Sequence, residues 1–404
     1  KIKMKNLKKI LLVVFIGLLL GCGRETPLEL EREEKFSLNY GLFENELNLF
    51  NLNSTYSRPD TQILMKEGIF YIVNSGGQKI LKLSSFGDLL TFFYNPESNM
   101  EPSFMQNDSQ DVKATTRGAI KYPFNHPALL TVNSSKHLFV VDSVLDERIE
   151  YDHEENLALR DIILHFDENG TFIDYLGQEG FGGTPFPSIE GIHTNSSNDI
   201  IVVCRTQTSL KIYWYNNKGD LLYKIPIFFN AVPNPYESSN KIFSSIDKIV
   251  PDFDELYLYI KIDYYLEEKD AATRANLGVS YDKSCLYFLN IKTGKYDKKM
   301  DVDAYEEIET SGTETFTFKK VYEMIGITEN GWCYLLTPTT KGYTLEMMNL
   351  KSQKKYKKDL IVSNDETFYN TFHVSSKGIL SAILARDDKA LIVWWRADKI
   401  IGDK

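Results

Sequence analysis

The 404-residue sequence predicts an all-β fold, a six-bladed β-propeller, on three observations. A polar turn leading into a β-branched or aromatic run recurs six times. Each recurrence is followed by a second hairpin. With the amino-terminal segment set aside, about 380 residues remain, more than one core ordinarily serves unless the fold is a repeat or a large all-β unit.

The six turn-and-strand stretches are KEGIFYIV (66–73), SSKHLFVVDS (134–143), SSNDIIVVCR (196–205), FDELYLYIKI (253–262), ENGWCYLLT (329–337) and SSKGILSAIL (375–384). Hairpins such as IILHFDENGTFIDYL and KIYWYNNKGDLLYKI follow them, with polar corners and glycines where a strand restarts. Four short antiparallel strands per unit, repeated six times around an axis, hide sheet edges without a single large core. The stretch EKFSLNYGLF (34–43) reads as a further strand, expected to close the ring by pairing within the sheet that holds residues 379–401.

Four glycines fall within seven residues from Gly177 to Gly183. A phosphate-binding glycine loop must lead into a helix whose amino terminus faces the phosphates. Here Pro185 and Pro187 follow, and the next regular element reads as a strand, so the glycines punctuate the passage from one blade to the next. With FDENGTFIDYLGQEGFGGTPFPSIEGIHTNSSNDIIVV, the chain resembles the NHL repeat, over roughly residues 65 to 230.

Residues 1–9, KIKMKNLKK, carry five lysines, and residues 10–21, ILLVVFIGLLLG, form a charge-free apolar run of signal-peptide length. The run is shorter than a membrane span of about 20 apolar residues. It ends at Gly21-Cys22 and resembles a bacterial lipobox, whose cysteine receives diacylglycerol and an amino-terminal acyl chain such as palmitate. As a whole the chain is similar to NHL-repeat lipoproteins of spirochaetes. The resemblance implies a lipoprotein signal peptide at 1–21, an acylated tether with a possible closing strand at 22–55, and the propeller at 56–404. It implies lipid attachment at Cys22 and a membrane-anchored place in the bacterial cell envelope, facing the periplasm or the surface. No cofactor is expected beyond that covalent lipid.

Cys204, Cys285 and Cys333 remain, an odd number in apolar alternating runs, which points to at least one buried free thiol. No CxxC pair is present to suggest a zinc ribbon. With the five amino-terminal lysines removed, 41 basic residues face 56 acidic ones, a charge of about −15. A nucleic-acid partner needs a basic footprint, so none is expected, and a monomer is.

In a four-stranded meander, the turns between strands one and two and between three and four emerge on one face, and all other connections on the opposite face. Turns of the first kind are short, as in VNSSK, DENG, NNKG and KTG. Length variation gathers in the second kind, at 95–121, 144–160, 228–240, 263–283 and 301–318. Long insertions on a rigid scaffold carry function, so binding is expected on the elaborated face. Two classes of function follow. One is an interaction platform for an envelope protein, peptidoglycan or a glycan, with aromatic and charged insertions such as NAVPNPYESSNK and IDYYLEEKDAATR. The other is a metal-dependent hydrolase or lyase with an axial site, for which His126, His193 and His373, near first strands, are the candidate ligands. No catalytic residue is nominated. The acidic run YDHEEN (151–156) reads as a solvated loop before it reads as a calcium site.

Overall fold

The computed structural model describes residues 29–49, 61–105, 117–236, 242–270, 273, 275–311, 314–363 and 367–402. The apolar run 10–21 and Cys22 lie outside the described residues. Within them, no helix is long and apolar enough to cross a membrane.

Six antiparallel sheets form the blades of a β-propeller. Blade one comprises Thr61–Lys66, Ile69–Asn74, Lys79–Leu83 and Leu89–Tyr94, and blade two Leu130–Val132, Leu138–Ser143, Asp161–Phe166 and Phe172–Gly177. Blade three comprises Ser188–Thr194, Ile200–Arg205, Ser209–Tyr215 and Leu221–Phe228. Blade four comprises Ile242–Pro251, Tyr257–Lys269, Asn276–Asn290 and Lys295–Val302, and blade five Glu323–Ile327, Trp332–Thr339, Gly342–Asn349 and Lys355–Ile361. Blade six takes Tyr369–Val374, Leu380–Ala385 and Ala390–Trp395 from the end of the chain and Arg32–Tyr40 from its beginning as the fourth strand. The first strands of adjacent blades pack side by side right round the ring.

The core is distributed. Six clusters of buried apolar side chains each lie in the seam between two neighbouring blades. This follows from near-continuous apolar runs such as IIVVC and LYIKI: a strand flanked by blades on both sides must bury residues of both parities. Cys204, Cys285 and Cys333 are all buried free thiols within these seams.

On one face, four of the six turns between first and second strands share one form. A short polar side chain at the strand end accepts the N–H four residues on: Asn133 from His137 at 2.9 Å, Asn195 from Asp199 at 2.9 Å, Thr328 from Trp332 at 3.0 Å and Ser375 from Ile379 at 3.0 Å. The residue just before that donor is left-handed, as at Lys136, Asn198, Gly331 and Gly378. Blade one instead uses a two-residue turn, Glu67-Gly68, with both φ positive, which matches the right-handed twist of its strands.

The opposite face holds the insertions, and several of them contain paired strands rather than loops alone. Residues 263–283 prolong the central hairpin of blade four, with Tyr265 opposite Tyr281 and Glu267 opposite Val279. Residues 305–311 and 314–320 form a separate hairpin between blades four and five. Alternating aromatic, apolar and charged residues let a strand run on beyond the sheet wherever a partner strand keeps pace. The acidic run at 151–156 turns a small hairpin of Glu150–Asp152 with Leu157–Leu159, where Asp152 Oδ1 accepts the N–H groups of Glu154 and Glu155, each at 3.0 Å.

The glycine cluster is a tight reversal. Gly180–Phe181 folds back on Leu176–Gly177, and a Cβ at Gly177 would stand 2.3 Å from the Gly183 carbonyl oxygen. The carbonyls of Gly177 and Gln178 accept the Tyr215 hydroxyl at 3.0 and 2.9 Å. Acceptors turned inward onto a tyrosine are the opposite of a phosphate cradle.

Candidate interaction face

Three insertions on the elaborated face meet at Asp282. The Tyr236 hydroxyl, from the connection after blade three, donates to Asp282 Oδ2 at 2.6 Å. Lys319, from the 305–320 hairpin, lies 3.3 Å from Asp282 Oδ1. The Tyr236 hydrogen bond, followed by those and the charge of Lys319, holds the Asp282 carboxyl below its ordinary value. Lys283 sits 4.3 Å from the centre of the Tyr236 ring. Tyr264 packs edge-on against that ring and donates to the Pro233 carbonyl at 2.6 Å. The loop at 232–236 and both hairpins are thereby clasped into one surface.

Between the hairpins lies an open cleft of about 690 Å³, lined by Asp282, Lys283, Asp303, Tyr305, Glu306, Lys319 and Lys357. Charges of both signs face one another across it. Beyond the cleft, the hairpins present apolar side chains to solvent: Leu277 is 65% and Ile308 67% exposed, and Phe316 and Phe318 stack together at 45% and 47%. Exposed aromatics beside charged residues suit protein or sugar contacts.

The three candidate histidines do not converge. His126 stands off the axis at the seam of blades one and two, with Nδ1 2.9 Å from Ser75 Oγ and its backbone N–H donating to Asp142 Oδ1 at 2.5 Å. Burial pushes the Asp142 carboxyl up to about 6, against the hydrogen bonds it accepts. His193 and His373 do come near one another, on the first strands of blades three and six. Burial holds each imidazole down at about 4, and the charge of Lys248, on the first strand of blade four, acts on both in the same direction. A positive charge felt at both imidazoles disfavours a metal cation there. Among the described residues no group of three or more His, Cys, Asp or Glu side chains is placed to hold a metal ion.

Sequence reasoning singled out the insertions that carry Tyr236 and Asp282 but not these residues themselves, and passed over Lys319 and Lys248. For Lys248 a signal was present, a cation in the apolar run IDKIVP of a first strand. For the Asp282 junction there was none, because its members lie 46 and 37 positions apart and meet only through the fold. His137 and His165 sit in and beside the corners of blade two, with Nδ1 of His137 and Nε2 of His165 2.8 Å apart.

The fold and this face define the class: a six-bladed β-propeller with one plain and one elaborated face. No family model matches the chain, and no curated protein matches it. Among solved structures it is similar to the polysaccharide lyase Uly1, with 8% identity, a TM-score of 0.43, and coverage of 91% of this chain and 99% of that one. It is also similar to the β-propeller domain of the trilobed protease from Pyrococcus furiosus, with 9% identity, a TM-score of 0.38, and coverage of 83% and 95%. AztD from Citrobacter koseri matches with 10% identity, a TM-score of 0.30, and coverage of 74% and 70%. These likenesses concern architecture and carry nothing about activity.

Proposed function

We propose that the chain is an envelope lipoprotein, acylated at Cys22, whose NHL-like propeller is an interaction platform for an envelope protein, peptidoglycan or a glycan. The observation that carries the binding part is the Asp282 junction. It joins the connection after blade three to both hairpins and holds exposed Leu277, Ile308, Phe316 and Phe318 on ordered strands. Insertions that were merely tolerated would need no mutual clasp. The anchoring part rests on the lipobox-like Gly21-Cys22 after its apolar run. An axial metal-dependent hydrolase or lyase is the weaker reading, because the charge of Lys248 bears on both His193 and His373 and disfavours a cation at either ring.

Photo-crosslinking in intact cells tests the binding part. A crosslinker at Leu277 or Ile308 should trap a discrete product, and one at Lys218 on the plain face should not. Equal yields from both faces would remove the elaborated face from the proposal. Cys22→Ala tests the anchor separately, since one acyl-bearing residue is then the membrane hold being removed. Retention of that variant in the membrane fraction with its acylation intact would defeat the lipoprotein reading.

A further inference from the structure

We propose that the axial channel, near its plain-face mouth, binds a small oxyanion or carboxylate through Lys248, His373 and Lys66. This goes beyond the interaction platform and concerns the opposite side of the ring. Two cations, Lys248 and Lys66, stand on the first strands that line the axis, each hydrogen-bonded to a backbone carbonyl and, among the described residues, neither in an ion pair.

Lys248 is only half-buried, so it meets the solvent of the channel, and among the described residues its ammonium has a single long hydrogen bond, to the Ile325 carbonyl at 3.4 Å. An ammonium carries three donors. The remaining donors have no acceptor in the described structure. His373 Nδ1 accepts the Met65 N–H at 3.3 Å, so the proton of the neutral ring resides on Nε2 as a further donor. His193 is committed to the backbone of Ile249. Lys66, one residue past Met65, donates to the Val132 carbonyl at 2.6 Å, and the Thr194 hydroxyl approaches the same oxygen at 3.5 Å.

Carboxylates that could neutralise these groups are engaged elsewhere. Glu190 pairs with Arg205. Asp247 lies 3.1 Å from the buried Lys261 and accepts the Met324 N–H at 2.8 Å. Glu323 begins the first strand of blade five, at the elaborated end, and is exposed. Glu67, in the plain-face turn of blade one, acts on Lys66 from a distance, without an ion pair. A cation partly removed from water and lacking a counter-charge is the arrangement that an anion completes. The class is set by the donors: several N–H groups from separate strands suit an acceptor with more than one oxygen, such as phosphate or a carboxylate, better than a halide.

The test uses the full chain with sodium phosphate, sodium acetate and sodium chloride as probes at matched ionic strength. Thermal midpoint and titration calorimetry should both show saturable binding of phosphate or acetate, since a ligand that binds only the folded state raises its stability. The phosphate and acetate arms distinguish the two anion types. Lys248→Met should weaken binding at least tenfold and Lys66→Met by less, while Lys218→Met on the surface should leave it unchanged. Absence of saturable binding of both oxyanions to the wild-type chain would overturn the proposal, as would equal affinity in Lys248→Met. If Lys248→Met does not fold, the wild-type chain at fixed pH decides: the anion should move the His373 ring proton resonances and leave those of His153 in place. Resonances of His373 that stay still at saturating anion also overturn it.

Discussion

The indole N–H of Trp394 donates to Glu33 Oε2 at 2.7 Å, across 361 positions of chain. The two residues are also register partners where Arg32–Tyr40 lies against Ala390–Trp395, so the first and last strands of the propeller share one sheet. Phe36, Leu38 and Leu47 from the amino-terminal segment then complete the core of the seam between blades six and one. Lys79 fixes the return of that segment by donating to the Phe43 carbonyl at 2.8 Å.

Removing residues 388–404 takes out the middle strand of this sheet and should abolish cooperative unfolding of the ring, read by circular dichroism during a thermal melt. A milder cut is Leu38→Ala, which should cost about 2 to 5 kcal/mol in a denaturant titration, as large-to-small changes at buried leucines do. A truncated chain that kept the wild-type midpoint would separate closure from stability.

Lys79 gives a pH signature at the same seam. Burial holds its ammonium down at about 8, partly opposed by Glu46 and Glu44. Its folded value thus lies below its unfolded one, so the folded chain binds fewer protons between about pH 8 and 10.5, and stability rises with pH there. The gain approaches about 3 kcal/mol over that window. The difference in unfolding free energy between the wild type and Lys79→Met, followed from pH 8 to 10, should carry this slope. A flat difference would mean that the ammonium is better solvated than its surroundings indicate.

Acid should loosen the fold through histidines. Burial holds His165, His193 and His373 each at about 4, below the ordinary 6.5. The unfolded chain binds more protons than the folded one from pH 6.5 down to 4, so stability falls across that window, by up to about 3 kcal/mol per group. Asp142, pushed up to about 6 by burial, acts in the opposite sense between pH 6 and 4. Asp161, Asp263 and Glu346, also raised by burial, act with Asp142, while Asp152, Asp167, Asp282 and Asp301, held low, act with the histidines. Urea midpoints should drop from pH 7 to pH 4.5, and the drop should shrink in His165→Gln with His373→Gln.

The two faces should respond differently to substitution. Gly219, at φ 83°, ends a plain-face turn, and a Cβ there would stand 2.3 Å from the Phe181 ring. Gly219→Ala should lose about 1 to 3 kcal/mol of stability while the folded fraction still gives the crosslinked product of the elaborated face. Ile308→Asp should do the reverse: stability within about 0.5 kcal/mol of wild type, and crosslinking from Leu277 reduced. Crosslinking that survives Ile308→Asp together with Leu277→Asp would place the contact elsewhere.

The thiols offer a direct check on the seams. Burial pushes the Cys285 and Cys333 thiols up to about 11 and about 12, and raises Cys204 as well. A thiol reagent at pH 8 should label none of the three until denaturant is added. Fast labelling of any one would mark a seam that opens.

The sequence alone determined the number of blades, most of the strands within them and the difference between the two faces. These are local properties: a left-handed corner residue, an apolar run between corners and the length of a connection can each be read within about ten residues. The stretch at 34–43 was legible as a strand for the same reason, and its partner followed from the need to cover an open sheet edge. In blade six the expected second hairpin over 391–402 is instead one strand, Ala390–Trp395, and a short helix, Asp398–Gly402, because the amino-terminal strand takes the outer place. Only the tertiary structure decided that the insertions at 263–283 and 305–320 are hairpins clasped at Asp282, and that His193 and His373 share the channel with Lys248 while His126 turns away to Ser75 and Asp142. Contacts of this kind depend on how far each blade is rotated about the axis and on how its outer strands twist. Both are set by packing across six seams at once, and no single segment of the chain carries that information.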